Sequence, residues 1–286
     1  MPKAMVSMSW LAPRTKIGPE YRLLRCIGSH ESRTVQKRLL LNGFLVYSVI
    51  AQESPARVTG LKNAQRLPRW RLFGTHMSWE KYYSRLRLLP ERYKRPVPLV
   101  AEILPALKLR KVRNVLDLGC GAGRHCVFLA SKGFDVLGLD ASESALRMAS
   151  QWIRMERLAN VALVQGSMTD IPSDDDHFEA VISISVMHHA LKKEISRSMA
   201  EIHRILKKDG IFFANLASIH DPRYGTGQEV EENTFRLPEA FEEKRFEELH
   251  HFFTKREVSE LLVSFAKADV KLLKDKPNYW KVTAIK

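Results

Sequence analysis

Asp117 ends an apolar run, and Gly119, Gly121 and Gly123 follow it at alternate positions in "NVLDLGCGAGRHC", residues 114–126. A residue without Cβ lets the backbone approach a ligand and take positive φ. A helix that begins directly afterwards turns its first amides toward the same ligand. One glycine makes a tight turn; three beside an acid point to a binding loop, and the acid suits a ligand that is cationic on that side. The dinucleotide fingerprint would need its third glycine at position 124, which is Arg124. A phosphate loop would need Gly-Lys-Ser or Gly-Lys-Thr, which is absent here.

Other chemistry-bearing residues stand further on. His188 and His189 follow "FEAVISISV", where a histidine can serve as a general base or simply pack. The stretch "SIHDPRYGTGQEVEENTFRLPEAFEEKRFEELHHFFT" (218–254) reads as a loop, and loops of that length are usually functional lids. Within it, Arg223 offers charge to an anionic substrate, while Tyr224 and His251 could position it. Its glutamates read as a solvated face. No metal is expected at His188, His189, His250 and His251, because adjacent histidines do not easily both turn toward one ion.

These residues need elements to hold them. From position 78 onward, apolar runs of strand length alternate with amphipathic stretches of helical period. Ser142 and Thr254 stand as helix N-caps, and Gly133 and Gly210 as helix stops. Strand, helix, strand, repeated, implies a parallel sheet covered on both faces. The last two runs, "ADVKLLKDK" and "NYWKVTAIK", are joined too closely for a crossover, so they pair antiparallel. The expectation is a three-layer α/β sandwich whose seven-stranded, mostly parallel sheet has an antiparallel last strand. In such sheets ligands bind at the carboxyl ends of the strands, where strand order reverses.

The chain of 286 residues carries a net charge of +14, unevenly. Residues 1–76 hold 13 Lys and Arg against three Glu, leaving only +4 for the remainder. The body is therefore mildly basic, and its pI says little about a substrate. The three cysteines, Cys26, Cys120 and Cys126, form no CxxC pair, which suits a reducing, cytoplasmic setting without structural zinc. The apolar run at 39–51 is too short to span a bilayer, so no membrane role is expected. Residues 1–76 read as a basic N-terminal extension: a small domain, a targeting peptide, or sequence upstream of a natural start at Met77. The last is favoured, with 77–286 as the working domain.

The stretch "VLDLGCGAGRHCVFLASKGFDVLGLDASESALRMA" resembles the cofactor-binding half of class I S-adenosylmethionine-dependent methyltransferases, and the similarity runs from about Trp79 to the end. The resemblance implies a Rossmann-like methyltransferase fold, with S-adenosylmethionine as cofactor and S-adenosylhomocysteine as product. It implies that Asp117 lies near the methionine amino group, and that Gly119, Cys120, Gly121 and Gly123 wrap methionine and ribose. Asp140 would accept from the ribose hydroxyls, with Ala141 and Ser142 following along ribose and adenine. "QGSMTDIP" matches the adenine segment, but Ser167 replaces the usual Asp; Met168 would pack on the ring. After the fourth strand, Ile184, Ser185, Val186 and Met187 replace the Asn/Asp-Pro-Pro-aromatic motif of enzymes that methylate amino groups. The implied reaction is methyl transfer to O, S or a carboxylate of a small molecule. The segment "SISVMHH" also resembles that of enzymes esterifying a carboxymethylated wobble uridine, so a tRNA partner is the alternative. A third reading is a non-catalytic cofactor-binding scaffold.

Overall fold

Successive strand residues turn to opposite faces of a sheet, and here both faces are buried. The computed structural model describes residues 38–41, 44–48, 76–241, 244–274 and 278–286. The chain runs β1 (Arg38–Leu41), β2 (Phe44–Ser48), α1 (His76–Ser84), α2 (Pro98–Leu109), β3 (Asn114–Leu118), α3 (Arg124–Ser131), β4 (Asp135–Asp140), α4 (Glu143–Met155), β5 (Val161–Gln165) and β6 (Phe178–Ile184). Then come α5 (Lys192–Ile205), β7 (Leu206–Ala217), β8 (Gln228–Glu231), β9 (Thr234–Phe241), β10 (Lys244–His251), α6 (Lys255–Leu261), β11 (Lys267–Leu273) and β12 (Tyr279–Ile285).

The main sheet has the order β1-β2-β5-β4-β3-β6-β7-β12-β11. The pairs among β3 to β7 are parallel, and β12 is antiparallel to both β7 and β11. Seven strands thus follow the expected plan. Val115, Val136, Leu163, Ile182 and Phe213 face a core closed by α2, α3 and α4. Their sequence neighbours Leu116, Leu137, Val164, Val181 and Phe212 face a second core closed by α5 and α6. Two cores on one sheet make the three layers. Burial of a single large aliphatic side chain in either is worth about 1.5–3 kcal/mol.

Two boundaries differ from the sequence expectation. Helix α5 ends at Ile205 rather than running to Gly210, because Leu206 pairs with Phe178 and enters β7 through a register shift. Lys207 and Lys208 before a glycine imitate the end of a helix. The second difference is larger. The stretch read as an unstructured loop forms a separate antiparallel sheet, ordered β10-β9-β8.

Of residues 1–76, only the two strands and His76 are described. β1 and β2 pair antiparallel, and β2 adds antiparallel to the β5 edge. The expected boundary at Met77 falls inside the first turn of α1. The remainder of the expected extension lies outside the described residues. Among the described residues no helix is long and apolar enough to cross a membrane.

Candidate active site

Strand order reverses between β3 and β6, and a cavity of about 480 Å³ opens there at the strand ends. Its floor is the loop from β3 to α3. Gly119 and Gly121 have φ of 71° and 54°, which glycine adopts without strain. A Cβ on Gly119 would lie 2.3 Å from Val186 Cγ2, and one on Gly121 would lie 2.7 Å from the Tyr83 hydroxyl. The loop can hold this path only without side chains.

Asp140, at the end of β4, ties the loop to the next helix. Its Oδ2 accepts from the Gly121 amide at 2.7 Å and its Oδ1 from the Ser142 amide at 2.8 Å. Ser142 caps α4 by accepting from the Ala145 amide. Glu80 of α1 receives the hydroxyls of Ser142 and Ser144 at 2.7 and 2.6 Å. Burial works against its charge, but those hydrogen bonds outweigh it and hold the Glu80 carboxyl below its usual range. Helix α1 is thereby pinned over α4, and Trp79 and Tyr83 become a wall of the cavity. "WEKYYS" puts Trp79, Tyr82 and Tyr83 on one helical face, the signal that could have marked this wall.

The opposite wall comes from the turn after β6 and from β10. Ser185 takes φ of 60° while its amide donates to Asn215 Oδ1 at 2.6 Å. The His251 amide donates to the His188 carbonyl at 2.7 Å, which fastens β10 to this turn. His188, His189, His250 and Arg223 therefore meet at one end of the cavity. Burial drives the imidazoles of His188 and His250 well below their usual range, and His189 down to about 4. All three are neutral near pH 7. Arg223 is held by Asp221, whose carboxylate accepts Nε and Nη2 at 3.0 Å each.

The expected residues divide cleanly. Gly119, Cys120, Gly121, Asp140, Ala141, Ser142, Met168, Ile184, His188, His189 and Arg223 line the cavity. Asp117 does not: it turns into the sheet's α3 face, where Cys126 Sγ donates to its Oδ2 at 3.2 Å. Its Oδ1 has no hydrogen-bond partner among the described residues and faces His125 Nδ1 at 3.9 Å. Burial raises its carboxyl to about 7. Gly123 sits at the N-cap of α3, where a Cβ would press on Ala149 at 2.9 Å; its role is helix packing. Ser167 bonds Thr169 in its own turn at 2.9 Å, and Gly166 lines the cavity instead.

Tyr224 and His251 also lie off the cavity. The Tyr224 hydroxyl donates to Asn233 at 2.8 Å, and its ring meets Phe235 and Phe252. His251 Nδ1 pairs with the Thr234 hydroxyl at 2.7 Å, and its Nε2 faces Glu257. The adjacent His250 takes the cavity position. The expectation that neighbouring histidines cannot converge also fails. His188 and His189 lie in a turn, not a strand, and with His250 they bring ring nitrogens within 4.8 Å of one another.

A family model described as a methyltransferase domain matches residues 115–210. The chain is 34% identical over 119 residues to an uncharacterised methyltransferase of Synechocystis, covering 42% of this chain and 53% of that one. It is 32% identical over 120 residues to an uncharacterised methyltransferase of Schizosaccharomyces pombe, covering 41% of this chain and 82% of that one. A Mycobacteroides abscessus protein named as a 2-heptyl-1-hydroxyquinolin-4(1H)-one methyltransferase is 31% identical over 88 residues, 30% of this chain and 39% of that one. The match thus spans about half the length of the cyanobacterial relative and less of the mycobacterial one. Among solved structures, a SAM-dependent methyltransferase of Methanosarcina mazei superposes with a TM-score of 0.55 at 23% identity, covering 67% of this chain and 98% of that one. That likeness shows the shared fold.

Proposed function

Because the chain belongs to the class I S-adenosylmethionine-dependent methyltransferases, we propose that it methylates an anionic oxygen or sulfur, including a carboxylate, of a small molecule. One observation carries the reading. A single cavity has the glycine loop and Asp140 on one wall and His188, His189, His250 and Arg223 on the other.

The residues fit the donor. Asp140 presents its carboxylate on the cavity wall, with its oxygens accepting the Gly121 and Ser142 amides, and a carboxylate is the acceptor that two vicinal ribose hydroxyls call for. Gly119 and Gly121 give a surface on which no side chain obstructs the ligand. Met168 and Leu139 offer apolar contact for a base. The cavity lies in the range of roughly 300–1,000 Å³ typical of small-ligand sites. Bound S-adenosylmethionine supplies an electrophilic methyl group on a sulfonium sulfur.

The chain's own part is alignment, since holding donor and acceptor in line supplies much of the rate. Arg223 attracts an anionic acceptor, and at that end the Trp79 ring packs edge-on against His189 with centroids 5.3 Å apart. His189 Nδ1 lies 3.1 Å from the Leu249 carbonyl, which fixes its proton there and orients the ring beside the cavity. The relative named as a 2-heptyl-1-hydroxyquinolin-4(1H)-one methyltransferase supports a small-molecule acceptor. The test is calorimetry with S-adenosylhomocysteine and NAD, followed by mass spectrometry of small-molecule pools incubated with S-adenosylmethionine. Methylated small molecules support the reading; methylated tRNA alone would replace the acceptor, and NAD binding without the homocysteine product would overturn it.

A further inference from the structure

The three imidazoles at the acceptor end come from two segments far apart in sequence, and no helix or strand repeat explains their meeting. Their ring centroids are 4.3 Å apart for His188 and His189, 5.4 Å for His188 and His250, and 4.4 Å for His189 and His250. One nitrogen from each lies within 4.8 Å of the others. An ion bound by three imidazoles at about 2.1 Å spaces their nitrogens roughly 3 to 3.6 Å apart, so small ring rotations would close the set.

Three further observations favour an ion. His188 is buried, and its Nδ1 has no hydrogen-bond partner among the described residues. A buried polar atom left so is costly and calls for a ligand. Next, the Leu249 carbonyl orients His189 at 3.1 Å, and the buried Glu248 carboxylate stands 3.9 Å behind the same Nδ1. A carbonyl or carboxylate behind a ligating imidazole is the usual outer support of a metal centre. Finally, all three histidines line the cavity. Three protein ligands with a position open to substrate is the pattern of a catalytic site, whereas structural sites are closed by four. The opposing charge is Arg223, whose Nη1 is 3.4 Å from His250 Nε2. Asp221 balances that charge through two contacts at 3.0 Å.

We propose that His188, His189 and His250 bind one first-row divalent cation of the zinc or iron type, with a coordination position open to the cavity for the anionic atom of the methyl acceptor. Imidazole donors without carboxylates favour Zn, Fe, Ni or Cu over Mg or Ca. Bound to such an ion, an acceptor hydroxyl or thiol releases its proton to solvent and is held as its anion. The acceptor's place at the ion rests on the methyl-transfer reading; the metal site itself does not.

The full chain, stripped with a chelator, is titrated calorimetrically with ZnCl2 and with MgCl2, and CoCl2 binding is followed by its ligand-field absorption. One Zn2+ per chain, none of Mg2+, and a Co2+ spectrum of low coordination number are expected. His188→Ala, His189→Ala and His250→Ala should each weaken Zn2+ binding by more than the roughly 10- to 100-fold that losing an outer partner costs. Glu248→Gln should cost about tenfold. S-adenosylhomocysteine binding, measured on every variant, reports whether it has folded. Should a variant fail to fold, anomalous diffraction from zinc-soaked crystals of the unaltered chain must place the ion among the three rings. Failure to bind zinc or cobalt stoichiometrically in a chain that binds the homocysteine product overturns this site and leaves methyl transfer standing. So does binding that all three substitutions leave unchanged, or an anomalous peak elsewhere. Zinc held by the three histidines in a chain that ignores the homocysteine product would keep this site and overturn methyl transfer.

Discussion

Asp117→Asn should stabilise the protein, and increasingly so as pH rises. The carboxyl is 1% exposed, and its Oδ1 lacks a hydrogen-bond partner among the described residues. Burial raises its pKa from 3.8 to about 7. Cys126, whose hydrogen bond with Cys120 and burial keep its thiol protonated, donates to it from Sγ and from its backbone amide, and burial outweighs both. The sign follows from linkage. Below the unfolded pKa both states hold the proton, and the shift costs nothing. Between about 4 and 7 the unfolded chain releases its proton while the folded chain keeps it, so stability falls; above 7 the full penalty remains. Three pKa units at about 1.4 kcal/mol each give a penalty of roughly 4 kcal/mol at pH 8, against about 1.5 kcal/mol at pH 5. Asparagine keeps the shape and removes the charge. At roughly 2–4 °C per kcal/mol for a domain of this size, its advantage in Tm should grow by about 5–10 °C from pH 5 to pH 8. Differential scanning fluorimetry of both proteins across that range, without ligand, is the assay. A Tm difference independent of pH, or a variant less stable at pH 8, would refute the account of a strained buried carboxylate.

Asp140→Ala should weaken S-adenosylhomocysteine binding about ten- to a hundredfold, because hydrogen bonds to a charged acceptor are worth roughly 1.5–3 kcal/mol; unchanged affinity by calorimetry would remove Asp140 from the ribose. Arg223→Ala should leave that affinity within about threefold while turnover of an anionic acceptor falls, the loss being confined to the acceptor wall; equal losses in both would place Arg223 on the donor. A chain starting at Met77 should bind S-adenosylhomocysteine as the full chain does, since among the described residues those lining the cavity lie from Trp79 onward; aggregation or lost binding would make the preceding residues, including the paired β1 and β2, part of the working fold.

The sheet was legible because its signal is local. Apolar runs ending at Leu118 and Asp140, each followed by a capped amphipathic helix, announce strand–helix units whose ends meet at a crevice. Asp140 and the first two glycines follow from that placement. Asp117 misleads because it lies within β3, one residue before the strand's end, where alternation turns it toward α3 between Leu116 and Leu118 of the other core. The acceptor side was legible only in part, because the stretch after β7 lacks a clean alternation and reads as loop. Once β10 is seen as a strand, period two decides between neighbours: His250 faces the cavity and His251 the Thr234 side. His188 and His189 obey no such rule in their turn, so both reach the same space.

The most direct test of the central claim is a crystal structure of the full chain with S-adenosylhomocysteine. The account predicts the ribose on Asp140, the homocysteine against Gly119 and Gly121, and the thioether sulfur turned toward His188, His189 and His250. A ligand bound outside that cavity, or with its sulfur facing away from the three histidines, would contradict it.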